Sequence, residues 1–388
     1  MTATAYLPTT GIPTAQPKAN KLFAALELSK AKWLISVDAP GNDQRSTYVV
    51  DGGDSAALLA LLVRLRTAAE QRVGGPVQVV VIQEAGLDGF WIHRLLEQNG
   101  IDSHVVDAAS IAVNRRHRRA KTDAIDGEAL LRTLLAWARG ERRVCSMVRP
   151  PSPEEEDRRR LTRERGTLLK ERTQLTNRIR GLLFGQGITD YDPLRQDRLS
   201  RLAALRTGDG RPLPARLTAE IRRALERIAL VCRQLAEVER ARDALITQAA
   251  GTVPETAAAA LARLKGIGPE LGSLLWLEAL FRNFANRRQI AAYAGLTPSP
   301  WQSGGIDQEQ GISKSGNRRL RHAMIELAWF WLRHQPDSAL SAWFRARVGQ
   351  GRGRIRRIAI VALARKLLIA LWRYATQGVV PQGAALKA

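Results

Sequence analysis

The first 150 residues alternate between short apolar runs and helically spaced apolar positions. Two runs, 22–28 and 33–37, are joined by a short polar turn and predict a β-hairpin, and "STYVV" is a candidate third strand. The continuous run "VQVVVIQEAG" is typical of a buried strand. Leucines at helical spacing predict a helix over 54–71. With a helix at 88–98, the strand "DSHVV" and a helix from Asp123 to about Trp137, the pattern predicts an α/β domain with a mixed sheet.

The middle of the chain has the periodicity of two long helices. After the breaker "RPPSPEEED", a basic helix over 158–183 carries leucines spaced by sevens. A Gly- and Pro-containing stretch, 185–215, separates it from a second helix with apolar residues at threes and fours. This spacing predicts an antiparallel helical hairpin of the coiled-coil type. Two roles for this predicted hairpin are nearly equally supported: a helical spacer, or an element through which copies of the chain associate.

The last third is predicted to be helical apart from one polar insertion, "TPSPWQSGGIDQEQGISKSGN". It ends in a cationic amphipathic helix, which we expect to bury its apolar face in a domain core and to offer arginines to phosphate. The predicted domains are a disordered tail 1–20, an α/β domain 21–149, a coiled-coil and linker region 150–250, an all-α domain 251–376 and a tail 377–388.

Composition narrows the class of partner. The 388 residues hold 60 Lys and Arg against 37 Asp and Glu, a net charge of +23. Such an excess favours a polyanion, meaning nucleic acid or an anionic membrane surface. The sequence has neither an apolar run long enough to span a bilayer nor a secretory signal at its N-terminus. We therefore expect no membrane partner. The two cysteines, Cys145 and Cys232, lack metal-ligand spacing and indicate reduced thiols in the cytoplasm.

Four carboxylates form the first candidate site. Glu27 closes the first strand, Glu84 ends the strongest strand, and Asp123 and Asp126 share one helix face. Carboxylates at the ends of adjacent strands can converge with those of a flanking helix. Such oxygen ligands bind Mg²⁺, which can act in phosphodiester chemistry. The layout is that of an RNase H-like (RuvC-like) nuclease, although each strand-end acid alone is more often an ordinary surface residue.

A dense cationic run precedes the two aspartates. A local ion-pair network would need a closer balance of signs than this segment has. We therefore interpret the run as a phosphate grip beside the metal site. Its members are Arg115, Arg116, Arg118, Arg119 and Lys121.

Two C-terminal motifs also point to phosphate. "LARLKGIGPELGSLLWLEA" has the helix-hairpin-helix pattern, in which Gly266 and Gly268 let backbone N–H groups approach the DNA backbone. An ordinary pair of packed helices is the alternative. In the polar insertion, Ser303 precedes two glycines in a predicted flexible loop. A serine among cations suits a phosphoryl-accepting nucleophile, and a phosphate-binding loop with structural serines is about equally supported. The other candidates there are Ser313, Lys314, Ser315, Arg318, Arg319 and Arg321.

The chain resembles the DEDD transposases of bacterial insertion sequences, through "RRAKTDAIDGEALLR" and through "LKGIGPELGSLLWLEALFRNFANRRQIAAYAGLTPSPWQSGG" with "ISKSGNRRLRHAM". The resemblance covers about 22 to 375. It implies a RuvC-like domain, a coiled coil, a helical transposase domain, Mg²⁺, DNA ends and target as substrates, and a guide RNA from the same element. It further implies a homo-oligomer, dimer or tetramer, acting at the bacterial nucleoid. Carried over, the acids are Glu27, Glu84, Asp123 and Asp126, and the serine is Ser303.

One position departs from the family pattern. The first acid there is usually aspartate, whereas "ALELSK" offers Glu27, whose extra methylene moves the carboxylate outward. Two rival functions use subsets of the same features. A Holliday-junction-type nuclease would use the acids without a nucleophilic serine, and a non-enzymatic binding protein would use only the basic helices and the hairpin.

Overall fold

The computed structural model describes residues 20–86, 89–111, 123–248, 253–303 and 306–387. The chain divides into two compact units that meet at Pro150 and Pro151. The cationic run 115–121 and the predicted tail 1–20, except for its last residue, lie outside the described residues.

The first unit is built on a six-stranded mixed sheet with strand order β3-β2-β1-β4-β5-β6. β1, β4 and β5 run parallel to one another, and β2, β3 and β6 each pair antiparallel with a neighbour. The predicted hairpin, third strand and two further strands are confirmed, and the short last strand was not predicted. The strands are β1 (Asn20–Leu28), β2 (Lys32–Asp38), β3 (Ser46–Asp51), β4 (Val77–Glu84), β5 (Asp102–Val106) and β6 (Met147–Val148).

Helices cover both faces of this sheet. α1 (Ser55–Val73) and α2 (Trp91–Gln98) bury leucines and isoleucines against one face. α3 (Asp123–Ala138) buries Leu130 and its neighbours against the other. α1 begins where the Asp54 side chain accepts a hydrogen bond from the Ala57 N–H, and ends at Gly74 in the left-handed conformation. The sheet thus has an apolar core on each face, and the predicted α/β domain with a mixed sheet is confirmed.

The second unit begins with two long helices, α4 (Pro153–Phe184) and α6 (Ala215–Gln248). A capping box between Ser152 and Glu155 starts α4, so the predicted breaker is also the helix start. α4 and α6 are antiparallel: Arg178 near the end of α4 pairs with Glu220 near the start of α6, and Arg165 pairs with Glu239. The connector holds the short helix α5 (Arg198–Ala204). The helical hairpin is therefore confirmed, with leucines packed along its seam.

The C-terminal part packs around one apolar core that includes Trp331 and Leu367. A π-helical turn, Trp276–Leu280, continues directly from α8. The helices are α7 (Val253–Ala262), α8 (Pro269–Leu275), α9 (Arg287–Tyr293), α10 (Arg318–His334), α11 (Ala339–Val348) and α12 (Arg354–Gln377). Within the described ranges, none of the helices is both long and apolar enough to cross a bilayer.

The polar insertion is not a loop, and the prediction of an all-α C-terminal domain was wrong in this respect. β7 (Pro298–Ser303) and β8 (Ile306–Ile312) form an antiparallel ribbon in which Ser303 pairs with Ile306. Two prolines in β7 conceal the strand at the level of sequence, because proline weakens a strand prediction. In the sequence, Gly304 and Gly305 stand between the two strands, and they lie outside the described residues.

The segment after α12 is fastened to the turn between α7 and α8. Leu386 bridges to Leu264, and the buried Gln335 side chain donates to the carbonyls of Lys265 and Ala385. The Lys387 ammonium donates to two carbonyls of the same turn, at 2.6 and 2.7 Å. The predicted tail from 377 thus closes over a part of the chain more than a hundred residues earlier.

Candidate catalytic and nucleic-acid sites

Glu27 and Glu84 lie side by side at the carboxyl ends of two central strands. Ala25 of β1 pairs with Ile82 of β4 in parallel register, and both side chains lie in the core beneath α3. Two residues further along each strand come Glu27 and Glu84. Because side chains on a strand alternate between faces, both acids lie on the face that α3 covers. Both are partly buried and both make polar contacts.

The first turn of α3 approaches this pair closely. A Cβ at Gly127 would stand 2.8 Å from the Ser36 Oγ and 3.5 Å from a Leu34 methyl group. Leu34 is the residue that pairs with Glu27 across β1 and β2. The helix backbone therefore lies directly over the neighbour of Glu27, and Asp126, next to Gly127, is held in the same region. A methyl group at this position would require the Ser36 hydroxyl or the helix to move.

The donor set at this edge suits a hard cation. Glu27, Glu84 and Asp126 supply carboxylate oxygens, the ligands that Mg²⁺ prefers. Among the described side chains, no three acids, histidines or cysteines lie close enough together to hold a metal ion. The side chain of Asp123, one helical turn before Gly127, is outside the described part. The structure thus places Glu27 and Glu84 side by side on adjacent strands, and Asp126 on the helix that covers that face of the sheet.

Ser303 ends β7 at the tip of the ribbon, and its side chain is outside the described part. The base of the ribbon is a close crossing of two chain segments. A Cβ at Gly295 would stand 2.0 Å from the Ser315 carbonyl oxygen, and one at Gly316 would stand 2.4 Å from the Tyr293 carbonyl oxygen. Both glycines have positive φ, 65° and 87°. Sequence reasoning missed this crossing, for which the two glycines were the available signal.

Lys314 sits within the crossing and is the one non-glycine residue with positive φ, 59°, among the residues described. It is exposed, and its N–H donates to the Gly295 carbonyl at 3.2 Å. Such a conformation in a lysine persists only when its surroundings fix it. Beside it, the Ser315 hydroxyl donates to the Ser313 hydroxyl at 3.2 Å.

The three arginines at the start of α10 differ in their surroundings. Arg318 and Arg319 are exposed in the first turn after the cap Asn317. Arg321 is only 8% exposed, and its guanidinium donates to the Lys314 carbonyl at 2.8 Å and to the Ala294 carbonyl at 3.4 Å. The side chain of Arg321 is therefore engaged in holding the crossing, whereas the other two face solvent.

The predicted glycine motif lies between α7 and α8. Gly266 has φ 84°, and a Cβ there would stand 2.8 Å from the His334 Cβ. Gly268 caps α8 in an extended conformation, and a Cβ there would meet nothing within 4 Å. The first glycine is thus required by packing, and the backbone at the second is open to approach.

Comparison with known proteins gives two family matches. A model for DEDD transposases of the IS110 type, described as "Transposase", matches residues 52–186. The model of the Transposase IS116/IS110/IS902 family matches residues 258–342. The first match spans Glu84, Asp123 and Asp126, and the second spans the glycine motif and the ribbon.

Individual relatives agree with these matches. A candidate transposase of Sinorhizobium fredii, y4rJ, is 55% identical over 374 residues, covering 94% of each chain. The transposase for insertion sequence element IS1111A of Coxiella burnetii is 28% identical, covering 80% of each chain. The transposase for IS1328 of Yersinia enterocolitica is 27% identical and covers 67% of this chain and 73% of its own.

Proposed function

Because the chain belongs to the IS110-type DEDD transposases, and is thus an enzyme that cuts and transfers DNA strands, we propose that it mobilises an insertion sequence with Mg²⁺-binding carboxylates, a nucleophilic serine and a guide RNA. The observation that carries the proposal is the level placement of Glu27 and Glu84 beneath the start of α3. That arrangement favours a RuvC-like domain over 21–149, followed by the helical hairpin region 150–250 and the transposase domain 251–376.

Mg²⁺ would be held by Glu27, Glu84, Asp123 and Asp126. When bound it would supply charge stabilisation for the attacking and leaving oxygens of a phosphodiester. Glu27 and Glu84 provide partly buried carboxylates on strands that packing holds rigidly, and Asp123 and Asp126 stand on α3. Arg115, Arg116, Arg118, Arg119 and Lys121 precede Asp123 in sequence and would bind phosphates, adding affinity without reading sequence.

Ser303 would supply the nucleophile. Its hydroxyl gives up a proton as its oxygen bonds to the scissile phosphorus, and a DNA oxygen leaves with the electron pair and takes up a proton. The phosphodiester count is therefore conserved, and the cut strand stays attached to the protein. A hydroxyl of the receiving strand later displaces the serine. Arg318, Arg319 and Lys314 would stabilise the charge that develops on phosphate, and Gly266 and Gly268 would let the hairpin backbone approach DNA. The role of Arg321 would be indirect, through the crossing that it holds.

The helical hairpin would join copies of the chain. Its tip exposes Phe184 at 71%, Leu194 at 43% and Leu199 at 47%, which is unusual for apolar side chains of this size. A largely apolar cavity beside Phe184 includes Leu183, Ile188 and Tyr191. A projecting phenylalanine beside an apolar cavity suits pairing of identical surfaces. The DNA substrate places the action in the bacterial cytoplasm, at the nucleoid.

The serine assignment is tested by trapping. Ser303→Ala should bind element DNA as the wild type does and give no denaturant-resistant protein–DNA adduct. Ser313→Ala and Ser315→Ala should retain at least part of the adduct. An adduct that survives Ser303→Ala and vanishes with Ser315→Ala would move the role to Ser315. The absence of any adduct from the active wild type, under every trapping condition, would favour the nuclease that uses only metal and has no nucleophilic serine.

The guide is tested by purification. Protein expressed with its native flanking DNA should carry one discrete structured RNA. If protein treated with RNase still recombines its DNA with full site specificity, a guide RNA is ruled out. The proposed role of the carboxylates in strand cleavage would not be affected by that result.

A further inference from the structure

A buried carboxylate contacts Asn317, the residue that caps α10. Glu278, in the π-helical turn Trp276–Leu280, is 1% exposed. Its Oε1 lies 3.3 Å from the Nε of Arg163 on α4, and its Oε2 accepts a hydrogen bond of 2.9 Å from the Asn317 side-chain amide. A buried carboxylate is costly unless its oxygens are paired. Both partners are therefore energetically significant.

Asn317 transmits this contact to the base of the ribbon. Its Oδ1 accepts the Leu320 N–H at 3.0 Å and caps α10. Its own N–H donates to the Tyr293 carbonyl at 2.7 Å, while the Ser313 N–H donates to the Thr297 carbonyl at 2.8 Å. The backbone N–H and the side chain of Asn317 together thus hold the end of the turn 313–317, which follows β8 in the chain.

On the other side, α4 brings positive charge toward the same carboxylate. Arg159 is 7% exposed, and its guanidinium lies 3.8 Å from the Phe281 ring centre. Burial lowers the pKa of Arg159, whereas nearby Tyr293 and Glu278 act to raise it. Within the described part of the chain, its Nε and Nη2 find no hydrogen-bond partner. Glu278 therefore pairs with Arg163 and Asn317, and its charge also acts on the buried Arg159.

The geometry points to Glu278 as a positioning residue that ties the base of the β7–β8 ribbon to helix α4 and so sets where Ser303 is presented. This inference rests on the proposed role of Ser303. It adds that the helix of the self-association element and the serine-bearing ribbon share one buried anchor. A displacement of α4 would then reach the base of the ribbon through the Glu278 carboxylate.

A reciprocal swap tests the anchor. The carboxylate of Glu278 accepts from two donors, but the amide in Glu278→Gln has one acceptor and one donor, so one contact is lost and two donors face each other. Asn317→Asp keeps the cap on α10 but sets two carboxylates against each other. The double variant restores complementarity, because the Gln amide nitrogen can donate to the new aspartate while its oxygen accepts from Arg163.

Amide hydrogen exchange of the turn 313–317 measures the effect of the Glu278 contacts independently of any reaction on DNA. The exchange rate should rise about tenfold in each single variant, because each leaves one buried polar group unsatisfied. In the double variant it should return to within about threefold of the wild-type rate. Adduct formation through Ser303 should fall and recover in the same order. Binding of duplex DNA should not change.

A second pair of variants separates the anchor from general damage to α4. Arg163→Ala should raise exchange of the turn, whereas Arg160→Ala should not, because the Arg160 side chain is 76% exposed and pairs only with Asp157 among the described contacts. Unchanged exchange in the single variants, or a double variant no better than either single, would overturn the inference. If the wild type forms no adduct, the serine assignment fails, and the exchange data still decide for or against Glu278.

Discussion

The carboxylates and the serine are held by opposite kinds of support. Glu27 and Glu84 stand on central strands of a six-stranded sheet with an apolar core on each face. Ser303 stands at the end of a two-stranded ribbon whose support lies at its base, where Gly295 and Gly316 cross neighbouring chain segments. A two-stranded hairpin is marginal by itself. Packing on both faces of the sheet therefore positions the two acids, whereas contacts at the base of the ribbon position the serine.

The largest effect is expected at the acids. Asp126→Asn should reduce Mg²⁺-dependent cleavage by more than about a hundredfold, since loss of a direct ligand exceeds the effect of outer-shell changes. Binding at moderate salt should remain. Glu128→Gln is the matched control: that acid lies on the same helix but is exposed and pairs with Arg45 and Arg132. Cleavage by Asp126→Asn at near wild-type rate would mean that α3 does not contribute to the site.

The second largest effect is expected where Gly295 crosses a neighbouring chain segment at the base of the ribbon. Gly295→Ala combines a positive φ with a collision against the Ser315 carbonyl, and should lower the free energy of unfolding by roughly 3 kcal/mol. Gly210→Ala isolates the backbone strain, because φ there is also positive, 84°, and a Cβ would meet nothing within 4 Å. It should cost only about 1 kcal/mol. Denaturant unfolding measures both. Equal losses would show that the crossing is not tight.

A smaller effect is expected where α3 touches the sheet. Gly127→Ala would place a methyl group 2.8 Å from the Ser36 Oγ and lift the first turn that carries Asp126. Cleavage should fall about tenfold, while stability changes little because alanine favours the helix by about 1 kcal/mol. Adding Ser36→Ala removes the obstructing oxygen and should restore cleavage. A double variant as slow as Gly127→Ala would place the defect elsewhere.

The smallest change is expected at Glu27. Glu27→Asp withdraws the carboxylate by about one C–C bond, so the exacting geometry of Mg²⁺ decides the outcome. Cleavage should be retained or raised, as the family pattern implies, and should stay within about tenfold of wild type. The concentration of Mg²⁺ needed for half-maximal cleavage should shift with it. Complete loss of activity would show that Glu27 is not the first ligand.

Hydrophobic patterning alone predicted the order of helices and strands in the first unit, except for the short β6, and the two long helices of the second. Period-two and helical spacings are local properties, so a single sequence reveals them. The pairing of acids at strand ends was also predictable in kind, because parallel strands end at the same edge. The family resemblance added the serine.

Tertiary structure decided the rest, because it depends on which distant segments touch. The level register of Glu27 with Glu84, the ribbon that carries Ser303 and the closure of the C-terminal segment over the α7–α8 turn have no local signal. Arg321 and Arg318 look alike in sequence, yet only one is buried against carbonyls. Glu278 looks like any helical acid until packing removes it from water and places Asn317 and Arg163 against its two oxygens.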